Sequence, residues 1–170
     1  MFSKNQKEST NMTSPFAPTS AATELFAPAQ GRLVKLEEVP DEMFAEKMLG
    51  DGFAVDPNNG TFVAPIAGEL VVLANTLHAY AIRSAEGVEV LVHIGVDTVE
   101  LKGQGFSSTR EVGERVNVGD AIIYCDLDRV ADAVPSMLTP VIVTNGDAFT
   151  ITDVDLASKP GHPVARVTRA

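Results

Sequence analysis

The sequence predicts an all-β protein, a sandwich or barrel with one or two short helices on its rim. Apolar residues come in short runs of four to seven, rich in Val and Ile, as strands require. Gly, Pro, Asn and Asp punctuate those runs, with 13 Gly and 10 Pro in 170 residues. Helical patterns are few and short, confined to Asp41–Leu49 and Asp128–Val134.

Residues 1–23 are rich in Ser, Thr, Asn, Pro and Ala, with no apolar periodicity. Such a segment buries too little surface to offset its ordering entropy, so a disordered tail is expected there. The folded domain is expected to run over 24–170. It opens on an internal echo. Phe26-Ala-Pro-Ala-Gln-Gly-Arg-Leu-Val matches Val63-Ala-Pro-Ile-Ala-Gly-Glu-Leu-Val at an offset of 37 residues. Each copy sets a Pro-Xaa-Xaa-Gly turn before an apolar strand, and two copies are too few for a solenoid. Further strands are expected at Phe53–Val55, Glu69–Leu73, Val88–Val96, Ala121–Cys125, Val141–Val143 and Val164–Val167. Asp56-Pro-Asn-Asn-Gly60 carries a strong hairpin signal.

The chain has 23 acidic and 13 basic residues, a formal charge of −10. Between 24 and 156 the balance is 22 to 8, a charge of −14, so the acidity belongs to the folded body. That field excludes nucleic acid and anionic membrane as main partners. No run approaches the roughly 18 apolar residues of a membrane helix, so no stable membrane insertion is expected. The single Cys125 excludes a disulfide framework and a Cys-rich zinc module. With no signal-peptide pattern at Met1–Lys7, a cytoplasmic location is expected.

Chemistry concentrates on the histidines, which titrate near neutrality. Read with period two, Val88, Val90, Val92, Ile94 and Val96 share one face, the core. Glu89, Leu91, His93, Gly95 and Asp97 share the other, with Gly95 expected to leave open space beside His93. His78 lies 15 residues earlier, a separation that suits an adjacent antiparallel strand joined through Ser84–Gly87. The two rings would then face each other, although Tyr80 and Ile82 share the phase of His78, so a simply buried ring is the plain alternative. His162, between Gly161 and Pro163, is expected to be a loop residue without a role. Two facing histidines suit a phosphoryl relay, because a neutral imidazole is a good nucleophile and its neighbour donates to the phosphoryl oxygens. Zinc is the other option, through His78, His93 and Asp97. Residues four apart on a strand are about 13 Å apart, so that option needs a turn after Gly95.

At these residues the sequence resembles the enzyme IIA domain of the glucose class in the bacterial phosphoenolpyruvate–sugar phosphotransferase system. The resemblance rests on Gly87-Val-Glu-Val-Leu-Val-His-Ile-Gly-Val-Asp-Thr-Val99, Val39–Gly52, Thr98–Phe106, Val116–Asp120 and Leu138-Thr-Pro-Val141. It implies a compact antiparallel β-sandwich of the duplicated-hybrid (barrel-sandwich) type. It also implies that His93 accepts a phosphoryl group on Nε2 from the carrier protein HPr and passes it to a cysteine of a sugar-specific IIB domain. Attack by Nε2 requires Nδ1 to keep its proton, and the Gly95 carbonyl is the expected holder. His78 matches the family's second histidine, a donor to the phosphoryl group, and Thr76 the threonine that orients it. Met43, Phe44, Met48, Leu49 and Val99 match an apolar docking face, with Asp41 and Asp97 as acids on its rim. For Phe44 and Leu49, packing of the helix onto the sandwich is the competing reading. No cofactor is required, and zinc at His78 and His93 is not expected in the isolated protein. Regulatory targets that distinguish the two phosphorylation states are a further partner class.

The chain departs from enteric members at Leu77, where they carry Asn, and at Ala74, where they carry Phe. Cys125 occupies an aromatic position and reads as a small buried hydrophobe. The rival from another class is a zinc peptidase with a His-Xaa3-Asp element, which also needs a His-Xaa-His pair. The chain has none.

Overall fold

The structure is a computed structural model that describes residues 22–170. Residues 1–21 of the expected tail lie outside the described residues, and Thr23 already belongs to a strand. The described residues form thirteen strands, beginning with β1 (Thr23–Leu25), β2 (Gly31–Lys35), β3 (Asp51–Pro57), β4 (Thr61–Val63), β5 (Gly68–Leu73), β6 (Ala79–Arg83) and β7 (Glu89–His93). They continue as β8 (Phe106–Ser107), β9 (Arg115–Val116), β10 (Ala121–Cys125), β11 (Thr139–Val143), β12 (Phe149–Thr152) and β13 (Ala165–Arg169). Two short helices, α1 (Glu42–Ala45) and α2 (Leu127–Ala133), complete the described chain, with two 3-10 turns.

A seven-stranded sheet of order β2-β3-β11-β7-β6-β5-β9 faces two three-stranded sheets, β1-β13-β12 and β4-β10-β8. Every pairing is antiparallel. The expected β-sandwich is therefore present. Its main core takes Phe53 and Val55 from β3, Val90 and Val92 from β7, and Val141 and Val143 from β11, all at most 2 % exposed. The opposite face of the same sheet is covered as well. Ala54 and Ile142 point there, into a second cluster with Val34, Leu36, Val39, Phe44 and Val96. Strand β11 is thus buried on both faces, which is why Thr-Pro-Val-Ile-Val lacks polar alternation. This second cluster seats α1 over the sheet beside the end of β7.

The internal echo has a structural counterpart. Phe26 N–H donates to Pro65 O at 2.9 Å, and Val63 N–H donates to Pro28 O at 2.7 Å. Phe26 corresponds to Val63 and Pro28 to Pro65, so the two copies grip each other reciprocally, as a local two-fold requires. Gly31 and Gly68 then open β2 and β5 at equivalent places. A Cβ on Gly31 would stand 2.0 Å from Asp56 O, and one on Gly68 would stand 2.1 Å from Arg83 O. Only glycine lets each strand lie this close to its partner.

Four local expectations are corrected. Asp56–Gly60 does turn the chain, but β3 and β4 do not pair: β4 pairs with β10, in another sheet. Gly60 explains the crossing, since a Cβ there would be 2.0 Å from Cys125 O. The helix expected over Asp41–Leu49 stops at Ala45, because Lys47 adopts φ +59 and ends the helical path. Strand β7 stops at His93 rather than Val96, because Gly95 turns the chain at φ +68. The second helix falls one residue earlier than expected and ends before Pro135, whose ring disfavours helix in the preceding residue.

Candidate functional site

Strands β6 and β7 form the hairpin that the Ser84–Gly87 turn calls for, with Ala79 opposite His93. His78 precedes β6 and its carbonyl accepts from Ile94 N–H at 2.7 Å, so both histidines stand at one end of the hairpin. Tyr80 and Ile82 are fully buried, but His78 lies outside the strand and escapes their phase. Its ring is half-buried. The ring centroids of His78 and His93 are 5.0 Å apart, in an edge-to-face arrangement of 77°. Phe44 of α1 reaches the same histidine, 5.0 Å from its centroid at 51°.

Each imidazole is fixed through Nδ1. His93 Nδ1 lies 2.9 Å from Gly95 O, and a carbonyl only accepts, so Nδ1 carries the proton and the lone pair sits on Nε2. His78 Nδ1 lies 2.6 Å from Thr76 Oγ1. The turn that holds Thr76 and His78 runs through Leu77 at φ +58. Asn tolerates this region better than Leu, which gives the enteric Asn a physical reason.

Both rings stay neutral to lower pH than a free histidine. Burial pushes His93 down, opposed by the Gly95 carbonyl and by the negative charges of Asp41 and Asp97. Burial also pushes His78 down, with the positive form of His93 adding to it. A neutral, tautomerically fixed His93 is a nucleophile at Nε2.

The surroundings sort the other candidates. Met43, Met48 and Val99 are 46 %, 68 % and 45 % exposed, and Leu49 is 37 % exposed. Phe44 is buried at 4 %, so its ring packs the helix and supports His93 rather than facing solvent. Asp41 caps α1 by accepting from Met43 N–H at 2.9 Å. Asp97 follows the Gly95 turn at φ +62 and is exposed. Gly95 does not leave the expected opening: its Cβ would meet Thr98 Cγ2 at 2.9 Å, Ser136 O at 3.1 Å and Met137 Sδ at 3.3 Å. The glycine is needed for its positive φ in a crowded turn. Among the described residues, no group of three or more His, Cys, Asp and Glu side chains converges to hold a metal ion. His162 is exposed and lines a separate cavity of about 340 Å³, to which neither His78 nor His93 contributes.

Sequence and fold both match one family of known proteins. Residues 23–149 match the model of the phosphoenolpyruvate-dependent sugar phosphotransferase system, EIIA 1. The chain belongs to that family. It is 47 % identical over 135 residues to the glucose-specific EIIA component of Halalkalibacterium halodurans, covering 79 % of this chain and 78 % of that one. It is 45 % identical over 142 residues to the glucose-specific EIIA component of Mycoplasma capricolum, covering 83 % and 92 %. Among solved structures, glucose permease IIA from Mycoplasma capricolum superposes with a TM-score of 0.82 at 44 % identity, over 86 % of this chain and 96 % of that one. As an EIIA component the chain takes part in phosphoenolpyruvate-dependent sugar phosphotransfer. None of its described helices is long and apolar enough to cross a membrane.

Residues that sequence reasoning did not single out complete the site. Thr98 and Thr139 are fully buried polar residues beneath the Gly95 turn. Thr98 stands in the motif around His93, and Thr139 in Leu138-Thr-Pro-Val141. Both read equally well as ordinary β-formers, which is why they went unnoticed.

Proposed function

We propose that the chain is a cytoplasmic phosphohistidine carrier that takes a phosphoryl group from HPr on His93 and donates it to a cysteine of a sugar-specific IIB domain. The observation that carries this reading is the pairing of His93 Nδ1 with Gly95 O, which leaves the lone pair of a neutral imidazole on Nε2. In the accepting step, that lone pair attacks phosphorus as the N–P bond of the donor phosphohistidine breaks. The electron pair returns to the donor imidazole. The phosphoryl group on Nε2 then lies beside His78, whose Nε2–H donates to a phosphoryl oxygen. Thr76 orients that ring. In the donating step, a IIB thiolate attacks phosphorus and the electron pair returns to His93 Nε2.

Both partners need the same site in turn, so it belongs on an open face rather than in a deep cavity. The exposed Met43, Met48, Leu49 and Val99 supply apolar contact for that face, and methionines adapt to unlike partners. Asp41 and Asp97 would meet basic side chains of HPr or IIB and steer encounter more than they add affinity. The relatives' names make glucose the first sugar to test.

The experiment is reconstituted transfer from phosphoenolpyruvate through enzyme I and HPr, followed by addition of a IIB domain. The wild type is expected to take up acid-labile phosphate and discharge it to IIB. A His93→Ala protein that still takes up phosphate would end the assignment.

A further inference from the structure

We propose that Thr98 and Thr139 are positioning residues that hold the Gly95 carbonyl against His93 Nδ1, and so set which imidazole nitrogen reacts; this rests on the phosphocarrier reading above. Two peptide planes meet at Gly95, and each is tied at both ends. In the Ile94–Gly95 plane, Ile94 O accepts from Thr98 Oγ1 at 2.5 Å, and Gly95 N–H donates to Thr139 Oγ1 at 3.3 Å. In the Gly95–Val96 plane, Gly95 O accepts from His93 Nδ1 at 2.9 Å, and Val96 N–H donates to Ser136 O at 2.9 Å.

The polarity of the set is determined. Thr139 Oγ1 spends its proton on Met137 O at 2.9 Å, so toward Gly95 it acts only as an acceptor. The same bond ties Thr139 to the segment that carries Ser136, whose carbonyl holds the second plane. Both threonine residues are fully buried, so no water replaces them if the hydroxyl is removed. The turn needs such support, since Gly95 sits at φ +68 and Asp97 at φ +62. A free glycine at this position would let its carbonyl swing away from the ring.

The chemical consequence follows from the acceptor. A carbonyl held at Nδ1–H selects the tautomer with the lone pair on Nε2 and makes that nitrogen more basic. If the carbonyl drifts, the other tautomer gains population and the nucleophile is lost from the open face. Thr139→Val removes the hydroxyl at nearly constant shape, Thr139→Ser keeps it, and Thr98→Val tests the opposite end of the same Ile94–Gly95 plane.

The measurement is the pair of 15N shifts of the His93 ring in the unphosphorylated protein, taken with the rate of phosphate uptake from HPr. Thr139→Val and Thr98→Val are each expected to move the shifts toward the other tautomer and slow uptake by roughly tenfold, with the shape of the circular dichroism unchanged. Thr139→Ser is expected to restore both. Wild-type shifts and rates in both valine variants would overturn the proposal, as would a serine variant as impaired as the valine one. The tautomer readout needs no transfer. If it responds as expected while the wild type takes up no phosphate at His93, the positioning stands and the phosphocarrier reading falls.

Discussion

Nδ1 of His93 lies 2.9 Å from the carbonyl oxygen of Gly95, two residues along the chain and on the far side of a left-handed turn. That contact fixes the chemistry of the ring, and the turn that makes it possible is intolerant of a side chain. Gly95→Ala is expected to cost about 2 kcal/mol, because Ala is strained at positive φ and its methyl would press on Thr98 and Ser136. Urea denaturation gives the loss, and the His93 ring shifts report whether the carbonyl has moved.

Phe44→Ala is expected to lower stability by about 3 kcal/mol, the usual cost of emptying a buried aromatic position. In a domain of this size that is a fall in Tm of roughly 10 °C. Calorimetry measures it. Met48→Ala, on an exposed residue of the same segment, should leave Tm nearly unchanged while weakening HPr binding.

Acid should act on the site later than on a free histidine. The pKa of His93 and that of His78 are both lowered, so the folded protein binds these two protons only below the ordinary range. Phosphate uptake is therefore expected to hold steady as pH falls from 7.5 to about 6.5, where a free imidazole would already be half protonated. The unfolded chain binds the protons first. Folding stability should accordingly fall as pH drops below about 6.5 and level off once pH passes the lowered folded values. The double variant His78→Gln, His93→Gln should show a shallower fall in the same window, read from urea midpoints.

Much of this site is legible in the sequence, for identifiable reasons. Alternation from Val88 to Val92 separates the buried valines from His93, because a strand has only two faces; beyond the Gly95 turn it fails, and Val96 packs in the second cluster instead. The echo of Phe26–Leu36 in Val63–Leu73 marks equivalent turns, since each glycine must let a backbone approach. What stays hidden depends on distant partners. The composition of Asp56–Gly60 identifies a turn but not the sheet that receives the next strand, which Cys125 and β10 decide. Gly95 looks like an aperture until Ser136 and Met137, some forty residues away, are seen to fill the space. Thr139 is silent in sequence for the same reason: its hydroxyl matters only because the fold brings Gly95 N–H to it.

Cys125 is expected to be inert. Burial, with Asp126 adding to it, pushes its thiol up to about 11. At pH 8 only about one thiol in a thousand would be ionised, so alkylation should be slow in the native protein and fast after unfolding. Iodoacetamide labelling followed by mass spectrometry checks this, and rapid native labelling would contradict it.

His78→Gln is expected to accept phosphate from HPr at a rate near that of the wild type but to deliver it to IIB at least tenfold more slowly. The reason is the role proposed for His78: its ring lies beside His93 and is held by Thr76, so it would donate to the transferring group rather than attack. Separate single-turnover measurements of the two half-reactions check it. Normal delivery to IIB would remove His78 from the mechanism.

The most direct measurement is the position of the phosphate itself. After incubation with phosphoenolpyruvate, enzyme I and HPr, 31P and 15N spectra of the labelled protein assign the phosphorylated nitrogen. One equivalent of phosphate on Nε2 of His93 is the expected result. Phosphate on Nδ1 of that ring, on His78, or on a His93→Ala protein would contradict the account.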